Sequence, residues 1–309
     1  MITYLYKSLR TAELLKPDEY RRGTWVYVED PTEDELTQLA SKFNLEPGYL
    51  EDALDQDEQP RLDREGDQVY LFVRYAYRKS NGEVDTAPLL IVFADEYVIT
   101  ISRDHMPAYD HFLRGRITFA TTQRAKLVLQ MLVVISDQYD AFINQTTKQI
   151  KGVRSRLRGR GITNTELINF VNIEDELNEF LSSLQPMNAT LRRMLAGRHL
   201  PLHEDDQDIV EDLLLSNEQS VEGSKANLRS ISNIREAYSA ISANNLNRTI
   251  ELLTIATVAL QIPNVVYALF GTNVHIPFEG ERAGFWLVTL IGLLPLTILW
   301  FVARKRKIL

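Results

Sequence analysis

The stretch from Ile250 to Phe270 has the sequence IELLTIATVALQIPNVVYALF, and it decides the architecture of this chain. It contains 21 residues, and its single charged side chain, Glu251, lies next to its start. A second stretch, Ala283–Val302, has the sequence AGFWLVTLIGLLPLTILWFV and carries no charge. Because a helix needs about 20 apolar residues to cross the hydrocarbon core of a bilayer, both stretches are predicted membrane spans.

The segments that flank the two spans predict their orientation. A basic tail, residues 303–309, follows the second span and contains Arg304-Lys305-Arg306-Lys307. Positive residues mark the cytoplasmic side, so two spans place both termini there. The N-terminus starts on a strand-like run without the layout of a signal peptide, which agrees with this. The link 271–282 is then the outer loop, and its carboxylates, Glu279 and Glu281, would attract cations. The predicted location is an inner or plasma membrane.

Polar residues in the first span recur at heptad spacing. One series is Asn247, Thr254 and Gln261, and the other is Ile250, Thr257 and Asn264. These are the two seam positions of a heptad and share one side of a helix. We call this side the polar face and define it by these six residues.

Polar side chains in a bilayer are costly and usually face water or a protein interior. Two interpretations of the polar face remain open, a pore lining and hydrogen bonding between packed helices. The face carries no carboxylate and no histidine. Its neutral amides and hydroxyls suit the water shell of an ion such as Mg²⁺, which gives up its water reluctantly.

Charge is segregated along the 309 residues. The net charge is −8, residues 247–309 carry +3, and the remainder carries −11. An acidic soluble part argues against nucleic-acid binding and suits a protein that meets cations. The sequence contains no cysteine, which excludes disulfides and thiolate metal sites.

The segment 205–249 is predicted to be a stalk helix that continues into the first span. It contains one glycine, Gly223, and no proline precedes Pro263. Asp205 or Asp206 can cap its start. A helix of about 66 residues would extend roughly 100 Å, which a small domain cannot bury. A single pair of spans also cannot enclose a pore, so both features predict a homo-oligomer within a lipid bilayer.

Residues 1–204 are predicted to form a cytoplasmic α/β domain that ends in long helices. The expected strands and helices follow from alternating apolar runs and from proline and glycine positions. The predicted strands are Thr3–Tyr6, Trp25–Glu29, Val69–Tyr77, Leu89–Phe93 and Tyr97–Ser102, and the predicted helices are 31–43, Pro47–Leu54, Thr122–Arg158 and Asn164–Ala196. No phosphate-binding glycine loop, catalytic triad or paired-carboxylate motif is present, so the chain is not predicted to be an enzyme.

The C-terminal region resembles the CorA-type magnesium transporters, a superfamily with two membrane spans and a Gly-x-Asn signature. Asn247-Arg248-Thr249 precedes an apolar run containing Leu253-Thr254-Ile255-Ala256-Thr257 and then Pro263. Phe270-Gly271-Thr272-Asn273 stands where the family has Tyr-Gly-Met-Asn. The second span and the basic tail complete the layout.

The resemblance implies a funnel-shaped homopentamer that is a passive channel for Mg²⁺, often also for Co²⁺ or Ni²⁺, with the first span lining the pore. Gly271, Thr272 and Asn273 would form the outer mouth, where Asn273 would bind the hydrated ion. Asn247 would be the lower pore asparagine, and Ile250 and Leu253 would be hydrophobic gate positions. No covalently bound cofactor is implied, and the divalent cation is the transported and regulatory ion.

The signature departs from the family at several positions. Thr272 replaces methionine, Phe270 replaces tyrosine, and Gln261 stands where methionine is usual. The outer acid is displaced to Glu279. Some relatives with a changed middle residue carry Zn²⁺, so a zinc transporter, with or without proton coupling, stays open. A membrane-anchored scaffold or sensor that conducts nothing is the alternative from another class.

The resemblance also implies a cytoplasmic metal sensor that pairs acids of neighbouring subunits. Asp212 falls near one of its positions, and the other falls near Arg78, which would make a salt bridge instead. Glu83 and Asp85 lie nearby in sequence and could substitute. The alternative is that Asp212 is a solvated stalk residue. His199 and His203 are interpreted as loop residues beside a helix cap, because Pro201 prevents them from sharing a helical face.

Overall fold

The computed structural model describes residues 1–11, 13–157, 163–196, 202–272 and 282–305. Within them the chain forms two compact units, Met1–Ile234 and Arg235–Leu309. The first unit contains a β-sheet with helices, and the second contains the C-terminal part of one long helix and the whole of the last helix. This is the predicted fold class, an α/β domain with long helices followed by two C-terminal helices.

Six strands form one mixed sheet in the first unit. In chain order they are β1 Ile2–Leu5, β2 Thr24–Glu29, β3 Arg61–Glu65, β4 Gln68–Arg78, β5 Val84–Phe93 and β6 Tyr97–Ser102. Their order across the sheet is β1-β2-β6-β5-β4-β3. Only the β2–β6 pair is parallel among these, with Trp25 opposite Val98. The strand β3 was not predicted, because its sequence RLDRE buries only Leu62 and alternates with charge at the sheet edge.

Two short helices cover one face of the sheet. They are α1, Glu33–Phe43, and α2, Pro47–Asp52. Thr32 and Glu35 form a capping box at the start of α1, and Asn44 ends the helix in the left-handed conformation with φ of 51°. Apolar side chains of both helices pack on alternate strand residues, among them Val26, Phe72, Leu90 and Ile99. Successive side chains of a strand point to opposite faces of the sheet, so every second residue meets α1 and α2.

Longer helices contact the sheet through the strand side chains that point away from α1 and α2. A 3₁₀ turn, Pro107–Tyr109, and α3, Asp110–Leu113, lead to α4, Arg124–Leu157, and α5, Asn164–Leu195. Trp25 is fully buried there and donates from Nε1 to Thr100 Oγ1 at 2.8 Å. A capping box of Thr163 and Glu166 starts α5. The predicted bounds of α4 and α5 differ from these by one or two residues.

The two remaining helices are α6, Glu204–Phe270, and α7, Arg282–Lys305. The helix α6 is continuous over 67 residues, with Pro263 inside it. The helix begins after His203, so Asp206 is not the N-cap residue but stands at the third helical position, from which its side chain still caps the start. The Asp206 carboxylate accepts a hydrogen bond from the His203 backbone N–H at 3.2 Å. This N–H group at the helix start has no backbone partner within the helix, and a side chain of the first turn supplies one.

Candidate pore-lining face

Two helices in the described part of the chain are long and apolar enough to cross a membrane, α6 and α7. The predicted spans Ile250–Phe270 and Ala283–Val302 lie inside them. Almost no side chain of either apolar window is buried within the chain. In water such surfaces would be a large uncompensated apolar patch, which a monomeric soluble protein rarely exposes.

One side of the α6 span packs against α7. The partly buried residues of the span recur at helical spacing, and they are Leu252, Ile255, Ala259, Ile262, Pro263, Val266 and Phe270. Tyr267 contacts α7 closely, because a Cβ added to Gly292 would lie 3.1 Å from the Tyr267 ring. The glycine therefore lets the two helices approach at this point, as small residues do in membrane helix pairs.

The polar face lies on the opposite side of the same helix. All six of its residues are exposed, and Ile250 keeps 52% of its surface accessible. Leu253, the second predicted gate residue, is 66% exposed. At about 100° per residue, the centre of the polar face lies roughly opposite the centre of the α7 contact. Hydrogen bonding to α7 of the same chain therefore does not explain the polar residues.

The two threonines of the polar face present acceptors. Thr254 donates its hydroxyl proton to the Ile250 carbonyl at 2.8 Å, and Thr257 donates to the Leu253 carbonyl at 2.8 Å. Each hydroxyl oxygen keeps its lone pairs for an outside donor. Water molecules bound to a cation point their hydrogens outward. A pore lining that presents hydrogen-bond acceptors can therefore bind the water shell of a hydrated cation.

The described part of the predicted mouth is the end of α6. The Gly271 N–H donates to the Tyr267 carbonyl at 2.9 Å, and Thr272 Oγ1 donates to the Leu269 carbonyl at 2.8 Å. Thr272 thus satisfies a helix-end carbonyl, a bond that the methionine of the family signature cannot make. Asn273, Glu279 and Glu281 lie outside the described residues.

Within the described residues of one chain, the acids predicted for a metal sensor between subunits do not form a cluster by themselves. In the described residues, no group of three or more His, Asp and Glu side chains is close enough to hold a metal. Asp212 is exposed, Asp85 pairs with Lys79, and Glu83 accepts from Asn81 Nδ2 at 2.6 Å. Arg78 donates to Gln145 Oε1 at 3.0 Å and to the Gly82 carbonyl at 2.6 Å. Of the two histidines interpreted as loop residues, His203 is exposed beside the start of α6, and His199 lies outside the described residues.

A feature that sequence reasoning missed is a polar ladder between α4 and α6 within the first unit. Ser136 donates to Asn217 Oδ1 at 2.7 Å, and Asn227 Nδ2 donates to Thr147 Oγ1 at 2.9 Å. Between these rungs, Ser216 and Ser220 donate to the Asp140 carboxylate. Paired residues differ in number by about 80 throughout, so the two helices run in the same direction. The sequence pattern that could have predicted the ladder is the heptad-like spacing of small polar side chains in both helices.

The two long apolar helices of the described residues, which the rest of the chain leaves almost uncovered, define a class, a membrane protein with two candidate spans. A family model described as "CorA-like Mg2+ transporter protein" matches residues 21–306. The chain therefore belongs to the CorA family of divalent cation transporters.

Individual relatives agree with this. The cobalt/magnesium transport protein CorA of Methanocaldococcus jannaschii is 21% identical over 300 residues, which cover 93% of this chain and 92% of the relative. The complete structure of the CorA magnesium transporter from M. jannaschii matches with a TM-score of 0.86 at 20% identity, covering 99% of this chain and 98% of that one. The ZntB cytoplasmic domain from Vibrio parahaemolyticus matches 78% of this chain and 98% of its own with a TM-score of 0.64 at 9% identity, which shows the fold alone.

Proposed function

We propose that this protein admits Mg²⁺, and Co²⁺ with it, as hydrated ions through a pore that symmetric copies of α6 line. The observation that carries the proposal is the polar face, exposed opposite α7 with its threonine hydroxyl protons already donated to the backbone. Mg²⁺ holds its water shell tightly, and neutral acceptors bind that shell without removing it. The name of the M. jannaschii relative, a cobalt/magnesium transport protein, supports these two ions.

The proposed assembly is a homopentamer in an inner or plasma membrane, with both termini in the cytoplasm. The pore runs from Asn247 past Ile250 and Leu253 to Asn264 and opens at Gly271-Thr272-Asn273. Outside it, Glu279 and Glu281 raise the local concentration of cations. The five-fold number follows from the family resemblance, and the need for several copies follows from the single polar face in each chain.

Thr272 supports a second candidate, transport of Zn²⁺. A signature with threonine in place of methionine departs from the magnesium pattern, and some relatives with a changed middle residue carry zinc. Uptake of Mg²⁺, Co²⁺, Ni²⁺ and Zn²⁺ into proteoliposomes of the purified protein, compared at equal concentration, distinguishes the two. A zinc flux that exceeds the magnesium flux and rises with an inward pH gradient would favour the zinc transporter.

We expect Asn273→Ala to abolish Mg²⁺ uptake without loss of the oligomer, because the mouth would lose the amide that binds the water shell. Size-exclusion chromatography checks assembly, and the liposome assay checks flux. Normal Mg²⁺ flux in this variant would refute the assigned mouth. Background flux of every ion in the parent protein would favour the non-conducting scaffold.

A further inference from the structure

A narrow apolar groove lies between α6 and α7 near the end of the pair that carries the basic residues. Its cavity volume is about 390 Å³, and every side chain that lines it is apolar. The lining residues include Leu252, Ile255 and Ala259 of α6 and Leu296, Leu299 and Trp300 of α7. Small side chains on α6, Ala256 and Ala259, leave this space open, whereas Tyr267 closes the helix pair farther along.

The groove lies on the side of α6 opposite the polar face. Leu252, Ile255 and Ala259 belong to the α7-contacting side, and Thr254 and Thr257 belong to the other. If the polar face borders the pore, the groove opens away from the pore axis and into the hydrocarbon. This step rests on the proposed function, since it takes the direction of the pore from the polar face.

Cations stand one helical turn beyond the groove on both helices. Arg248 precedes Leu252 by four residues and therefore shares its side of α6. On α7, Arg304 follows Trp300 by four residues, and its guanidinium lies 5.3 Å from the centroid of the Trp300 ring. Both arginines and the adjacent Lys305 are exposed. Glu251 is the one carboxylate among the described residues of these two turns.

An apolar slot that ends between cations matches the two parts of an anionic phospholipid. Its acyl chain is apolar and lies in the hydrocarbon, and its phosphate lies at the level where arginines at a span end reside. Guanidinium groups bind phosphate with paired hydrogen bonds. We propose that the groove holds an acyl chain of an anionic phospholipid whose phosphate lies between Arg248 and Arg304.

Trp300 reports directly on the occupant, because it lines the groove. The chain has three tryptophans, of which Trp25 is fully buried in the first unit. Trp286 lies near the other end of α7, so Trp286→Phe leaves Trp300 as the fluorophore that lipid reaches. The full chain is reconstituted in phosphatidylcholine vesicles containing either phosphatidylglycerol or phosphatidylcholine with brominated acyl chains, which quench tryptophan on contact.

We expect brominated phosphatidylglycerol to quench Trp300 more strongly than brominated phosphatidylcholine at the same mole fraction. Arg248→Gln should lower the relative association constant for phosphatidylglycerol roughly fivefold, the equivalent of one basic residue at an anionic surface. Arg248→Lys keeps the charge and should keep most of the preference. Glu251→Gln removes the nearby carboxylate and should strengthen the preference for phosphatidylglycerol.

The contribution of the groove itself is tested by filling it. Ala256→Leu should reduce quenching by both lipids, whereas Val258→Leu, an exposed position outside the groove, should leave quenching unchanged. Equal quenching by the two lipids in the parent would refute the proposal, and so would an Ala256→Leu variant that behaves as the parent. Absence of quenching by either lipid would show the groove covered by a second copy and would also refute it. Because no ion flux is measured, these outcomes are independent of a failure of the proposed transport.

Discussion

At the scale of single residues, the direction of a hydroxyl proton decides what the polar face can bind. Thr257 donates to the Leu253 carbonyl, so its oxygen faces outward as an acceptor. The same bond makes threonine tolerable in an apolar helix, because its proton is satisfied within the helix. The sequence predicted which residues share the face. It could not predict that the face points away from α7, which depends on how Tyr267 packs against Gly292.

Thr257→Val tests this acceptor, because it keeps the shape of the side chain and removes the oxygen. We expect Mg²⁺ uptake to fall roughly fivefold, the equivalent of one hydrogen bond of about 1 kcal/mol. Thr257→Ser should retain uptake. The control is Thr297→Val on α7, where the hydroxyl makes the same kind of bond to Leu294. An equal loss in both variants would mean that the hydroxyl matters for folding and not for ions.

Glu176 predicts a pH effect on stability in the first unit. Its carboxylate accepts from the Val84 N–H at 3.3 Å, and partial burial raises its pKa. A raised pKa means that folding favours the protonated acid, so this contribution is present at low pH and is lost as pH rises through the folded-state pKa. Glu176→Gln resembles the protonated form at every pH. We expect it to be more stable than the parent at pH 7, by less than about 1 kcal/mol, with a difference that narrows toward pH 4.

Unfolding of the full chain in detergent, followed by circular dichroism at the two pH values, measures this difference. The control is Asp175→Asn, at an exposed position next to Glu176. A Glu176→Gln variant less stable than the parent at pH 7 would contradict the assigned effect of burial.

At the scale of elements, the sequence predicted the long periodic helices, but it did not predict which elements they pack against. Proline and glycine positions and a heptad pattern gave α4, α5 and α6 within a residue or two, because a long helix repeats its signal. The edge strand β3 was missed, since Arg61, Asp63 and Arg64 resemble a charged loop until β4 pairs with them. The polar ladder was missed because Ser136 and Asn217 are 81 residues apart, and only the tertiary fold places them 2.7 Å apart.

The ladder predicts a strong coupling across α4 and α6. Asn217 is 1% exposed, and Asn217→Ala leaves the Ser136 hydroxyl without this acceptor. We expect a loss of about 1–3 kcal/mol in unfolding free energy. The double variant Ser136→Ala with Asn217→Ala should cost less than the sum of the two single variants, because both polar partners are then absent. Gln219→Ala, an exposed change on the same turn, should cost less than about 0.5 kcal/mol. Additive effects in the double variant would refute the coupling.

At the scale of the whole molecule, the proposed pore requires several copies of the chain. A single polar face cannot surround a column of water. The energy for uptake need not come from a nucleotide. Moving two charges across 100 mV gains about 4.6 kcal/mol from the membrane potential alone.

The family and fold could be inferred from the sequence because the layout of two spans and a Gly-x-Asn signature is local. The choice of ion could not, because in the proposed pore it depends on how Thr257 and Asn264 of several copies are arranged around one axis.

The most direct test of the account is potential-driven Mg²⁺ uptake into proteoliposomes of the purified protein, measured beside a variant with Thr257→Leu and Asn264→Leu. We predict uptake that increases with an inside-negative potential in the parent. In the variant, which keeps its oligomer by size-exclusion chromatography, we predict uptake at the level of empty liposomes. A parent at the level of empty liposomes, or a variant that conducts as the parent does, would contradict the assignment of the polar face as the lining of the pore.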